Sequence, residues 1–118
     1  MTRYSRGDVV LVPFPFTGLD GVKRRPALVI SGEEYNSAGE VLVGQITSKV
    51  KTAPRPGDHR IRHWQRAGLI APSLFRCRVA TLAAPLIIRK LGKMGSVDMQ
   101  AVDGRLREVL GLQMRTDS

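Results

Sequence analysis

Apolar positions along the chain come in short runs of Val, Ile, Leu and Ala, set off by Gly, Pro and charged residues. That spacing belongs to β-strands rather than to long helices. Three runs read as strands: residues 8–13 (DVVLVP), 26–31 (PALVIS) and 41–47 (VLVGQIT). Residues 59–64 (HRIRHW) alternate poorly and predict only a short edge strand. Residues 73–82 (SLFRCRVATL) alternate well, with Leu74, Arg76 and Arg78 on one face and Phe75, Cys77 and Val79 on the other. The mixed first face is expected to be the more open one. Residues 85–91 (PLIIRKL) predict a last strand.

The tail changes period. Ser96 is placed to cap a helix, and Asp98 in its first turn suits the helix dipole. Val102, Leu106, Val109 and Leu110 then recur at helical spacing and Gly111 supplies a stop, so the pattern predicts a helix from Ser96 to Leu110. Gly104 weakens it by about 1 kcal/mol relative to Ala. The expected fold is mainly β, five to six short antiparallel strands followed by one amphipathic helix. A small, strongly bent barrel is its natural closure, because it leaves few exposed strand edges. No repeat or linker interrupts the chain, so residues 1–118 are expected to form one domain.

Charge adds a direction. The chain carries 19 Lys+Arg against 10 Asp+Glu, a net +9 that favours polyanionic partners. Lys23, Arg24 and Arg25 stand together between a two-glycine loop and a strand, and Lys49, Lys51, Arg55, Arg60, Arg62 and Arg66 form a second group. A groove lined by these would be an electrostatic funnel for a single strand. Aromatics available to stack on bases are few: Phe14, Phe16, Tyr35 and Trp64, of which Phe14 and Phe16 read first as core anchors and only second as stacking platforms. The one cysteine, Cys77, excludes an internal disulfide and any Cys-based zinc site, and in SLFRCRV it reads as a half-buried thiol. The N-terminus has no long apolar segment and no run approaches the ~18 apolar residues of a membrane span, so a cytoplasmic protein is expected.

Candidate chemistry narrows quickly. His59 and His63 are four apart, but with no helix predicted there and no third ligand nearby they make no metal site; no glycine motif for a nucleotide cofactor is present. Arginine with a hydroxyl remains. Arg25 precedes Pro26, which holds the residue before it in extended geometry. A guanidinium on so fixed a stem can grip a phosphate with two parallel hydrogen bonds. At the end of the third strand QITS sets Thr47 and Ser48 beside Lys49. Thr47 is by propensity alone an ordinary β-branched strand residue. The residues by themselves give a phosphate-binding cleft and no more.

The segments GDVVLVPFPFTG, KRRPALVIS, GQITS, GLIAPSLFR and LREVLGL, in this order, resemble the MazF/PemK family of toxin endoribonucleases from about residue 6 to 112. The resemblance implies an SH3-like barrel with a C-terminal helix, a homodimer, and sequence-selective, metal-independent cleavage of single-stranded RNA. It also implies a cognate acidic antitoxin whose flexible segment blocks the RNA groove. By motif, the catalytic pair is Arg25 and Thr47, with Arg25 stabilising the phosphorane. Lys23, Arg24, Ser48, Lys49, Ser73 and Arg76 fall in with RNA binding, the PSxxR segment bringing Ser73 and Arg76 to the same cleft. One position departs from the pattern. Some members carry an acidic general base where this chain has Arg78, and a guanidinium cannot take that role. Two rivals stand beside this reading: a non-catalytic nucleic-acid-binding barrel, and a gyrase poison like the related CcdB toxins. The latter end in Trp-Gly-Ile, whereas this chain ends in MRTDS.

Overall fold

Continuous apolar runs, rather than strict alternation, mark strands that are buried on both faces. The computed structural model, which describes residues 3–14 and 23–112, has that arrangement at its centre. In chain order the elements are β1 (Asp8–Phe14), β2 (Lys23–Val29), α1 (Glu33–Asn36), β3 (Glu40–Thr47), β4 (His59–Arg60), β5 (Leu74–Ala83), a 3₁₀ turn (Ala84–Leu86), β6 (Arg89–Lys93) and α2 (Ser96–Leu110). The strands form one antiparallel sheet in the order β4-β5-β3-β2-β1-β6. Val9, Leu28 and Ile46 turn to one face, where Phe75, Val102 and Leu106 join them. Val10, Val12, Ala27, Val29, Val41 and Val43 turn to the other and meet Ile87. Each fully buried Val or Leu of this kind is worth roughly 1.5–3 kcal/mol.

The sheet curls into a half-barrel whose two edge strands do not pair with each other among the described residues. The chain after β4 bridges them. Backbone at Ala67 and Gly68 lies directly on backbone at Leu91 and Gly92, so close that a Cβ on Gly68 would collide with the Leu91 carbonyl. Gly68 also has a φ of +85°, which few side chains tolerate. Both facts demand glycine there.

Several expectations are corrected. The predicted strand over residues 85–91 is a 3₁₀ turn followed by β6, because Ile87 turns in to the core before the chain pairs with β1. Residues 59–64 supply only the two-residue β4; from Arg62 the chain turns. The alternation along β5 fails at a bulge: Gln45 pairs with Arg76 but Gly44 pairs with Val79, so Cys77 and Arg78 are extra. Leu74 is buried like Phe75, and Val79 is 45% exposed. Phe16 and the loop from Thr17 lie outside the described residues.

Helix α2 has the predicted bounds, and Gly111 closes it at a φ of +69°. Its start and its inner face differ from expectation. The N-cap is Gly95, not Ser96, and Val109 and Leu110 are exposed while Val102 and Leu106 are buried. Asp98 does not serve the helix end. Fully buried, its carboxylate accepts hydrogen bonds from the backbone N–H groups of Arg62 (2.7 Å) and His63 (3.0 Å) and contacts Nε2 of His59 at 2.8 Å. Burial alone would raise its pKa, but these donors together outweigh burial and lower it. Asp98 thereby fastens α2 to the turn after β4.

Asp98→Ala should cost about 2–4 kcal/mol in denaturant unfolding, the scale of leaving two buried donors unpaired. The lowered pKa also sets a sign. The carboxylate's contribution is complete above the unfolded value near 3.9 and is lost as pH falls through the lower folded value. Stability should therefore fall on acidification below about pH 4 more steeply in the wild type than in Asp98→Asn.

Candidate active-site cleft

A group of cations with no ion pair among the described residues lies where β2 and β3 part. Ile30 donates its N–H to Leu42 of β3 at 2.9 Å, so the two-residue period turns the N sides of Leu28 and Pro26 to β3 as well. Proline has no N–H to give. The β2–β3 register stops at Ala27–Gln45, while the β1–β2 register continues to Phe14–Lys23. Extended by two residues, the first register sets Arg25 against Thr47. The strands diverge there instead, and a cavity of about 430 Å³ opens between them.

Arg24, Arg25 and Pro26 line it from β2, Gln45 and Thr47 from β3, and Ser48 and Lys49 from the loop beyond. The far wall is Gly68, Leu69, Ile70 and Ala71, held by the glycine contact with β6, and Ile70 is wholly exposed. Arg24 and Arg25 are exposed and make no ion pair among the described residues. Thr47 Oγ1 accepts the N–H of Lys49 at 3.2 Å, which leaves its own hydroxyl proton free to donate. Beside its apolar residues the lining holds cations, hydroxyls and an amide, with no carboxylate, imidazole or thiol among the described residues. Such a lining suits an oxyanion of high charge density, a phosphate before a carboxylate.

Six of the eight sequence-derived site residues come together here: Arg24, Arg25, Thr47, Ser48, Lys49 and Ser73. Ser73 is buried, and its hydroxyl donates to the carbonyl of Ala71 at 2.9 Å, so it shapes the wall. Lys23 stands exposed at the outer end of β2 and does not line the cavity. Arg76 is not in the cleft. Its Nε and Nη2 donate to the two oxygens of Asp58 at 3.1 and 3.0 Å, and Nη2 also reaches Thr52. That bidentate pair first and foremost lowers the Asp58 pKa and raises that of Arg76. The cleft thus includes Ser73 and leaves out Arg76, whose acidic partner lies 18 residues away in sequence.

Arg89 and Gln45 line the cleft and escaped the sequence reading. Arg89 arrives through the pairing of β6 with β1, opposite Leu11. Its only sequence signal is a cation breaking an apolar run. Cys77 is half-buried, with Sγ 3.5 Å from the Gly57 carbonyl, and burial pushes its thiol pKa up, which makes it a poor nucleophile. No three His, Cys, Asp or Glu side chains cluster among the described residues. No described helix is long and apolar enough to cross a membrane.

Comparison with known proteins agrees with this fold. The family model for PemK-like, MazF-like toxins of type II toxin-antitoxin systems matches residues 5–110. The fold is that of MazF from Deinococcus radiodurans, with a TM-score of 0.74 at 23% identity, covering 95% of this chain and 100% of that one. An endoribonuclease from a Mycobacterial species, solved with its cognate antitoxin, gives 0.74 at 18% identity over 95% of this chain and 99% of that chain. Toxin MazF-mt6 of Mycobacterium tuberculosis gives 0.71 at 19% identity over 91% and 99%. No curated protein matches the sequence.

The two kinds of arginine should separate by experiment. Arg76→Ala should lower stability by about 1–3 kcal/mol, by stranding a charge-assisted partner, and leave tripolyphosphate affinity almost unchanged. Arg24→Ala, Arg25→Ala and Arg89→Ala should weaken tripolyphosphate binding in calorimetry with little effect on melting.

Proposed function

The chain belongs to the PemK-like, MazF-like toxin family, and from that premise we propose that it is a sequence-selective endoribonuclease that cuts single-stranded mRNA in the cytoplasm and so stops translation. The convergence of Arg25 and Thr47 at the split between β2 and β3 carries this reading. A scissile phosphate seated there would meet the fork of Arg25, which supports the charge of the phosphorane. Thr47, one of its two acceptor lone pairs engaged by the Lys49 N–H, would donate to a phosphate oxygen or orient the 2′-hydroxyl. Arg24, Lys49 and Arg89 would draw in the flanking phosphates.

The reaction is an internal transfer. The 2′-oxygen bonds to phosphorus, the bond from phosphorus to the 5′-oxygen breaks, the 2′ proton passes to water and the departing oxygen takes one from water. The products are a cyclic phosphate and a 5′-hydroxyl. Among the described residues no carboxylate or imidazole lines the cleft and Arg78 is exposed on β5, so in this reading solvent takes the place of a side-chain base. A metal ion would find no ligand set among these lining residues.

A cationic cleft of this kind would also accept an acidic antitoxin segment in competition with RNA. The Deinococcus radiodurans and Mycobacterial structures with antitoxins bound support such a partner. A homodimer is part of the same reading, and Leu86 and Ile88, 51% and 41% exposed, offer apolar surface for it.

Purified protein in excess EDTA should cut a long single-stranded RNA at few sites, leaving 5′-hydroxyl ends that a polynucleotide kinase labels without prior phosphatase. Loss of cutting in EDTA that a divalent ion restores would overturn the mechanism. The single-turnover rate should climb with pH from 6 to 9 without an inflection near neutrality, because in this reading solvent rather than an imidazole or carboxylate takes the 2′ proton. Thr47→Ala should slow cutting by roughly tenfold to a hundredfold, the lower range for one lost polar contact to the transition state.

A further inference from the structure

A second cavity, of about 420 Å³, lies on the other side of the wall that bounds the cleft. Ser73 lines both, so residues 70–73 form a ridge between them. The second cavity is lined by His59, Arg60, Ile61, Arg62, Trp64 and Pro72 besides Ser73. Trp64 is the chain's one tryptophan. It is partly buried, packing against the core while still lining the cavity. Its backbone is held on both sides: Asp98 takes the N–H groups of Arg62 and His63, and the Trp64 carbonyl accepts from Leu69 at 3.1 Å. An aromatic surface so fixed loses little freedom when a ring lies on it.

Arg60 and Arg62 flank the buried Ile61 and are both exposed. Arg60 has one long contact, to the Val50 carbonyl at 3.5 Å, and neither arginine forms an ion pair among the described residues. The two nearby acids are already committed, Asp58 to Arg76 and Asp98 to His59 and the turn. An aromatic platform sharing a cavity with two guanidiniums that form no ion pair among the described residues has the composition of a single-strand nucleotide site.

We propose that this cavity is an outer nucleotide subsite. It takes one unpaired base beyond the residues held in the cleft, stacked on Trp64, with the flanking phosphates on Arg60 and Arg62. The strand crosses the ridge at Pro72 and Ser73. Stacking and phosphate contacts tolerate any base, so the subsite adds affinity and requires length without narrowing the sequence cut. This rests on the nuclease reading of the cleft.

The test uses 2′-O-methyl oligomers of mixed sequence, uncleavable by 2′-hydroxyl attack, with about four and about ten nucleotides, a span within single-strand site sizes. The ten-mers should quench Trp64 fluorescence and the four-mers should not. Trp64→Leu, which keeps apolar packing, should weaken ten-mer binding roughly tenfold and leave four-mer binding unchanged. The double variant Arg60→Ser, Arg62→Ser touches only exposed side chains and should reduce the slope of log affinity against log salt by about 1.4 for ten-mers alone. Equal quenching by both lengths, or ten-mer affinity untouched by either variant, would overturn the subsite while Arg25-dependent four-mer binding kept the cleft reading intact. Failure of both lengths to bind would overturn the two together.

Discussion

Proline at position 26 lacks the one N–H that would have carried the β2–β3 ladder outward. The chain's chemistry is arranged around that missing donor. The ladder ends at Ala27–Gln45, β3 swings away, and Arg25 and Thr47 are left on opposite lips of the gap. On its other side β2 stays paired to β1 as far as Lys23. The arginine stem is therefore held on one edge and open on the other. A guanidinium on a loop would have to be ordered before it could grip a phosphate; this one is ordered by the sheet.

The acids complete the arrangement by where they are spent. Among the described residues Asp58 closes on Arg76, Asp8 on Lys90, Asp103 on Arg6 and Glu108 on Arg105, while Asp98 ties α2 to the turn after β4. None lines the cleft. The cations that remain there repel one another, and the fold bears that cost because its stability comes from two apolar layers elsewhere. An incoming polyanion relieves it. Charge on this chain is thus sorted into a fastened set and a waiting set, a distinction that net charge alone does not make.

How much of this could be read in the sequence depends on how far apart the interacting residues lie. The Val-rich runs and the helix from Ser96 to Leu110 follow from neighbours in the chain and were legible, whereas the pairing of Arg25 with Thr47, 22 residues on, came only from the order of motifs. The Arg76–Asp58 and His59–Asp98 pairs join residues 18 and 39 apart, and nothing local announces them. Arg89 reaches the cleft only because β6 lies beside β1, a pairing that residue spacing does not specify. The two extra residues in β5 are likewise a feature of its partner: they appear only when that strand is laid against β3. Alternation within β5 was no guide to its burial, since Leu74 and Phe75 are both buried and the register shifts against β3.

The central claim is that geometry, not charge, makes Arg25 special, and single-turnover cleavage at saturating protein tests it directly. Arg25→Lys keeps the charge but loses the planar fork. Its rate should fall by roughly two to three orders of magnitude, the scale of one lost preorganised donor to a developing anion. Affinity for uncleavable RNA at fixed salt should stay within a few-fold of wild type, since one retained charge among many sets it. A lysine variant that cuts RNA as fast as the wild type would contradict the account, and the cations at the split would then serve attraction alone.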